Sequence, residues 1–139
     1  MDRLTKAHLT DLTYQINGAA MEVFKTIGPG MLEKLYSQAM EHELKLRGFK
    51  VQTELPVSIP YKGIFLPTTL RADQFVNSLI VLEFKACEDI HPKHKAQLFT
   101  YMKWLRAPKG ILYNFNEHKI YPDGQHTMVN DLYWELPDN

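Results

Sequence analysis

Apolar residues in the first third of the chain follow the spacing of two α-helices. They recur every three or four positions across residues 9–26, which predicts a helix with Thr10 or Asp11 available as its N-terminal cap. After a Gly-Pro-Gly turn the same spacing continues through residues 31–46 and stops before Gly48, where a left-handed residue is expected to end the helix. The chain therefore begins with a helical pair.

Beyond Gly48 the pattern changes to short runs rich in β-branched and aromatic residues, separated by proline and glycine. These runs predict successive antiparallel strands, then a further strand and an edge strand, at residues 49–59, 64–66, 70–76, 79–87, 110–115 and 118–121. A helix from Pro92 to about Leu105 joins two of them, so we expect a right-handed parallel crossover there. From Pro122 onwards we expect an irregular or partly mobile tail.

This order of elements predicts an α/β sandwich, three-layer-like, around a mixed central sheet. The 139 residues suit a single domain, with a core of about 9–121 and a C-terminal tail of 122–139. A hydrophobic content of 45% is enough to build one substantial core.

Charge and cysteine content narrow the functional classes. Sixteen basic residues balance sixteen acidic ones, so no overall field draws the protein to nucleic acid and any such binding must come from a local patch. Cys87 is the sole cysteine, which excludes an internal disulfide and a cysteine-ligated zinc site. With no apolar signal segment and no run long enough for a membrane helix, we expect a cytoplasmic protein without membrane contact.

Two charged residues interrupt the most apolar predicted strand. Glu83 and Lys85 are two positions apart, so their side chains project to one face, while Leu82 and Phe84 project to the other. A Glu-x-Lys pair on a strand is often an exposed face or an ion pair. Here the surrounding strand is apolar at nearly every other position, as in strands covered on both faces, where charges must be paired or must coordinate something.

A second carboxylate, Asp73, lies on the preceding strand. If Asn77 and Ser78 formed a simple two-residue hairpin, Asp73 would sit opposite Leu82 and face away from Glu83. Convergence of the two carboxylates requires a connection one residue longer, or a bulge. We predict one of these.

Four motifs in this order resemble the GxxExxY family of the PD-(D/E)XK nuclease superfamily, over about residues 14–116. They are Gly30-Met31-Leu32-Glu33-Lys34-Leu35-Tyr36, Asp73, Glu83-Phe84-Lys85, and Gln97-Leu98-Phe99-Thr100-Tyr101. The glutamine-tyrosine pair also resembles the RecB-like branch, in which a metal-binding histidine stands where this chain has Glu33. The resemblance implies a restriction-endonuclease-like core and metal-dependent hydrolysis of phosphodiester bonds in nucleic acid, with DNA as the expected substrate.

The resemblance also implies a role for each motif residue. Asp73 and Glu83 would bind Mg²⁺ or Mn²⁺, with the carbonyl of Phe84 as a further ligand, and Glu33 would hold a metal-bound water or a second metal. Lys85 would position or deprotonate the attacking water. The remaining two roles fall on the helix that follows: Gln97 would orient Lys85 or the water, and Tyr101 would contact the nucleic-acid backbone.

A basic segment lies on the same predicted helix. Residues 91–110 contain no acidic residue and carry Lys93, Lys95 and Lys103, interleaved with aromatic side chains. This patch is the expected path of a phosphate backbone, and charge reversal at Lys95 and Lys103 is expected to weaken DNA binding. A solvated helix face is the alternative interpretation of these lysines.

Other functions remain open at this stage. The first is a noncatalytic nucleic-acid or protein-interaction module that keeps the nuclease fold. The second is a homodimeric accessory protein, which the small size of the domain and the apolar surface left exposed by its helices would favour. A domain this small has little room for sequence readout, so we expect structure preference or a partner that supplies specificity.

Overall fold

A computed structural model describes residues 3–116, 118 and 120–139 of the protein. The elements in chain order are α1 (Lys6–Ile27), α2 (Glu33–Leu46), β1 (Val51–Val57), β2 (Pro60–Tyr61), β3 (Ile64–Phe65), β4 (Leu70–Val76), β5 (Ile80–Lys85), α3 (Pro92–Leu105), β6 (Lys109–Asn114), β7 (Gln125–Val129) and α4 (Asp131–Trp134).

Five of the strands form one mixed sheet in the order β1-β4-β5-β6-β7. The pairs β1/β4, β4/β5 and β6/β7 are antiparallel, whereas β5 and β6, which α3 connects, are parallel. The predicted parallel crossover is therefore confirmed. Strands β2 and β3 pair only with each other, as a separate hairpin between β1 and β4.

The sheet separates two apolar clusters, one on each face. On one face Ile80, Leu82 and Phe84 of β5 pack with the buried sides of α1 and α2. On the other face Val81 packs with Leu98 of α3. Helices thus cover both faces of a mixed sheet, which confirms the predicted α/β sandwich. The side chains of the odd-numbered residues of β5 project towards α3.

The helical pair is close to its prediction, with one correction at the start. Helix α1 begins at Lys6, three residues earlier than expected, and its cap is Thr5, whose hydroxyl accepts a hydrogen bond from the His8 N–H. Gly48 has the expected positive φ, 89°. None of the helices in the described residues is both long and apolar enough to cross a bilayer.

The predictions for the C-terminal residues are wrong. Residues 118, 120 and 121 lie in turns and Lys119 lies outside the described residues, so the edge strand is β7 instead. The tail is not irregular, because β7 completes the sheet and Tyr133 packs against the α1–α2 cluster. The last residues also accept hydrogen bonds from the first turn of α1, where Lys6 and Ala7 donate their N–H groups to Pro137 and Asp138.

Candidate active site

Strands β4 and β5 separate at the level of Asp73 and Glu83. Their antiparallel pairing runs from Val76↔Ile80 to Gln74↔Leu82 and stops there. The connection is the three-residue link Asn77-Ser78-Leu79, in which the first two residues have φ of 52° and 54°. The predicted longer connection is confirmed, and Asp73 and Glu83 occupy the next opposed positions on the face that α3 covers.

The two carboxylates bind the backbone of each other's strand. Asp73 donates its N–H to Glu83 Oε1 at 3.0 Å, and Phe84 donates its N–H to Asp73 Oδ2 at 2.8 Å. Both carboxylates therefore lie where the two strands separate, and each accepts a hydrogen bond from the backbone of the other strand.

Burial makes this pair electrostatically costly. Glu83 is only 4% exposed, and burial together with the neighbouring Asp73 carboxylate raises its pKa to about 9. Burial also raises the pKa of Asp73, partly offset by its hydrogen bond from Phe84. Across residues 3–116, 118 and 120–139, neither carboxylate forms an ion pair. Two adjacent acceptors without a cationic partner hold a proton or attract a metal ion.

Lys85 and Glu33 meet beside this pair. Lys85 lies two residues beyond Glu83 on the same side of β5, and its Nζ is 3.8 Å from Glu33 Oε1. Glu33 opens α2, directly after the glycine turn. The hydroxyl of Tyr36 stabilises that turn, because it donates a hydrogen bond to the Gly28 carbonyl and accepts one from the Met31 N–H at 3.0 Å.

Glu33 does not join the other two carboxylates. Among the described residues, no three aspartate, glutamate, histidine or cysteine side chains are arranged to hold one metal ion. The three proposed metal ligands are thus divided into a pair, Asp73 with Glu83, and a separate Glu33 that contacts Lys85. A role for Glu33 would act through the lysine or through a bound water.

Helix α3 brings a polar face to the same place. Burial and then the negative charges of Glu83 and Asp73 raise the pKa of Tyr101 to about 12, while a hydrogen bond with Gln97 acts in the opposite direction. One turn before Gln97, burial and the ammonium of Lys85 lower the pKa of His94. The described structure therefore gathers Asp73, Glu83 and Lys85 with the Gln97–Tyr101 face of α3.

A family model described as the PD-(D/E)XK nuclease superfamily matches residues 10–125 of this chain. The chain belongs to the PD-(D/E)XK nuclease superfamily. Comparisons with curated protein sequences and with solved structures found no match. Membership accounts for the mixed sheet between helices and indicates nuclease activity in general, on a nucleic-acid substrate. The narrower GxxExxY family stays a prediction from the motifs.

Nucleases of this superfamily generally use divalent metals, and the residues present fit such an ion. Asp73 and Glu83 offer carboxylate oxygens, which are the ligands of Mg²⁺ and Mn²⁺. Glu83 is buried beside Asp73 with no ion-pair partner among the described residues, and its pKa is raised, so the pair holds a proton that a bound cation would displace. Asp73 and Glu83 are therefore residues that could hold a divalent metal ion.

The three lysines of α3 do not share a direction. Residues four apart lie on one face of a helix, so Lys93 lines up with Gln97 and Tyr101. At about 100° per residue, Lys95 points some 160° away from Gln97, and Lys103 about 120° away. All three are exposed, but the structure brings only Lys93 to the face that carries the site.

One contributor was missed in the sequence. Asn114 is fully buried at the end of β6, opposite Lys85, and its side chain bonds the N–H and the carbonyl of Cys87, at 3.2 and 2.9 Å. These bonds hold the segment that follows Lys85 to the neighbouring strand. The available signal was an asparagine directly after the apolar run Ile111-Leu112-Tyr113.

Proposed function

We propose that this PD-(D/E)XK protein is a Mg²⁺-dependent nuclease that hydrolyses phosphodiester bonds, with DNA as its substrate. The observation that carries the proposal is the pair formed by the buried Glu83 and the half-buried Asp73 at the point where β4 and β5 separate, with Lys85 on the same side. Such a pair is costly to maintain unless it binds a cation, and its two residues are among those through which the sequence resembles the superfamily.

The chain's own residues divide the work of hydrolysis. Asp73 and Glu83 would hold Mg²⁺ or Mn²⁺, which when bound polarises a phosphoryl oxygen and lowers the pKa of water. Lys85 carries three N–H donors and no acceptor in its ammonium form, so it would position the attacking water and balance phosphate charge. Glu33 would orient Lys85 through their contact, and Gln97 would orient the water.

The substrate would lie on the side of the sheet that carries the two carboxylates. Tyr101 would contact the nucleic-acid backbone beside the site, and Lys93 would bind a phosphate one turn before Gln97. Lys95 and Lys103 would act, if at all, on a more distant part of the substrate, because they point away from this face.

The test is cleavage of labelled single- and double-stranded DNA, and of the matching RNA, by the wild type and Lys85→Ala in Mg²⁺, Mn²⁺ or EDTA. We expect metal-dependent cleavage that is lost in Lys85→Ala and kept in Lys95→Ala, a matched change on the opposite side of α3. Cleavage that persists in EDTA, or in Lys85→Ala, would refute the assignment.

A metal-binding measurement separates an active nuclease from the noncatalytic alternative. Mn²⁺ should raise the melting temperature of the wild type but not of Asp73→Asn, a substitution that keeps an oxygen to accept the Phe84 N–H. A protein with neither cleavage nor a response to Mn²⁺ would be an interaction module that keeps the nuclease fold.

A further inference from the structure

The β2–β3 hairpin, residues 59–66, forms a two-stranded sheet separate from the central sheet. Its two strands pair Pro60 with Phe65 and Tyr61 with Ile64, and the Leu66 N–H donates to the Ile59 carbonyl at its base. Paired residues share a face and neighbouring residues alternate. Tyr61 therefore projects from one face and Phe65 from the other.

Both faces of this hairpin are apolar and solvent-exposed. Phe65 is 70% exposed and Tyr61 is 55% exposed, and Ile64 and Leu66 are exposed as well. An isolated two-stranded hairpin is marginally stable in water, and contiguous exposed apolar surface marks a site of interaction. The apolar residues of the hairpin tip are exposed to solvent, so they are not among the buried residues that form the two clusters.

The hairpin is anchored on the side of the sheet that carries the site. At its base, Ile59 and Leu70 pack against the apolar cluster beneath α3, the face to which Asp73 and Glu83 belong. Residues 67–69 link the hairpin to β4, and Asp73 lies eight residues after Phe65. A fully extended chain of that length spans at most about 28 Å, which corresponds to about eight nucleotide steps of a duplex strand.

Charge in this region suits nucleic acid. Residues 56–72 contain Lys62 and Arg71 and no aspartate or glutamate. Lys62 lies at the tip, where its ammonium is 5.4 Å from the centre of the Tyr61 ring. A basic group beside an exposed aromatic ring matches the pairing of phosphate contact and base stacking that single-strand-binding surfaces use.

We propose that the β2–β3 hairpin binds unpaired bases of the substrate, stacking them on Tyr61 and Phe65. Bases within a duplex are already stacked on their neighbours, whereas every unpaired base offers a free face to an aromatic ring. The protein then prefers nucleic acid that has a single-stranded segment next to the cleaved bond. This inference deepens the proposed nuclease function and rests on it.

The test measures binding without cleavage, on the full-length protein in EDTA. Fluorescence anisotropy would compare a blunt duplex with the same duplex carrying a ten-nucleotide single-stranded tail, for the wild type and the double variant Tyr61→Ala/Phe65→Ala. Loss of one stacked base predicts a roughly 5- to 150-fold loss of affinity for the tailed DNA, and loss of both stacked bases predicts a larger one. Affinity for the blunt duplex should change less than about 2-fold.

Two controls make the result specific. Tyr14→Ala removes an exposed tyrosine from α1 and should leave both affinities unchanged. A tail that contains 2-aminopurine should lose fluorescence on binding the wild type and not the double variant, because stacking on an aromatic ring quenches this base. Circular dichroism would establish that the double variant remains folded.

The outcomes separate this inference from the nuclease proposal. Unchanged affinity of the double variant for tailed DNA, or an equal loss for both DNAs, would overturn the role of the hairpin while metal-dependent cleavage could still stand. A loss confined to tailed DNA, together with the quenching, would support it even if Lys85→Ala had no effect on cleavage. A homodimer that dissociates in the double variant, with unchanged DNA affinity, would assign the hairpin to self-association and overturn the inference.

Discussion

Replacing Glu83 by glutamine should change how the stability of the protein depends on pH. In the structure Glu83 is almost fully buried next to Asp73, and its pKa is raised to about 9 from the ordinary 4.5. Glutamine has nearly the same shape, keeps an oxygen that accepts the Asp73 N–H, and offers an amide donor to the Asp73 carboxylate. It therefore resembles the protonated form of Glu83 at every pH.

Proton binding determines whether the free energy of unfolding rises or falls with pH. Between pH 4.5 and about 9 the folded protein keeps a proton at Glu83 that the unfolded chain releases, so the free energy of unfolding falls as pH rises. One retained proton corresponds to about 1.4 kcal/mol per pH unit. From pH 6 to pH 8 the wild type without metal should lose up to about 3 kcal/mol of stability through this group, and Glu83→Gln should lose much less.

The assay is urea denaturation at several values of pH from 6 to 8.5, with EDTA present. Glu88→Gln serves as a matched control, since Glu88 is exposed and its substitution should leave the wild-type slope unchanged. When Mn²⁺ replaces EDTA, it should restore the stability of the wild type at pH 8 and have little effect on Glu83→Gln, because the metal needs the carboxylate.

Parallel stability profiles for the wild type and Glu83→Gln would refute the reasoning. Such a result would mean that Glu83 titrates equally in the folded and unfolded chains, so that burial imposes no cost on its charge. The electrostatic argument for a cation at Asp73 and Glu83 would then lose its basis, whatever the outcome of the cleavage assay.

Two further predictions concern the substrate path and the support of the site. Lys93→Glu should weaken DNA binding at low salt and reduce its salt dependence, because Lys93 lies on the Gln97–Tyr101 face of α3; binding curves at several salt concentrations would measure this. Asn114→Ala should lower the free energy of unfolding by about 1–3 kcal/mol, because it removes the side chain that bonds both backbone groups of Cys87, and thermal denaturation would detect it.

Lys93→Glu and Asn114→Ala can each be compared with a matched control variant. Lys95→Glu makes the same charge change two residues away, on the other side of α3, and an equal loss for both variants would show that direction on the helix does not matter. For Asn114, the exposed Asn139→Ala should leave stability unchanged. Unaltered stability in Asn114→Ala would show that the bonds to Cys87 are not needed to hold the end of β5.

Local patterns in the sequence were sufficient to predict most of the elements and the central pair of the site. The alternation along β5 separates Glu83 and Lys85 from Leu82 and Phe84, because side chains on a strand alternate whatever surrounds it. The length of the link after Val76 was predictable for a similar reason, since only one more residue places Asp73 opposite Glu83. Motif spacing then indicated the superfamily.

Tertiary structure decided the rest, because these features depend on residues far apart in the chain. Glu33 contacts Lys85 and not the two carboxylates, as the packing of α2 on the sheet dictates. The largely polar sequence of β7 resembles that of a loop. The segment is a strand because it pairs with β6. The end of the β4–β5 ladder beside Asp73 and Glu83 is likewise invisible in local pattern. It arises where β4 stays paired with β1 and leaves β5.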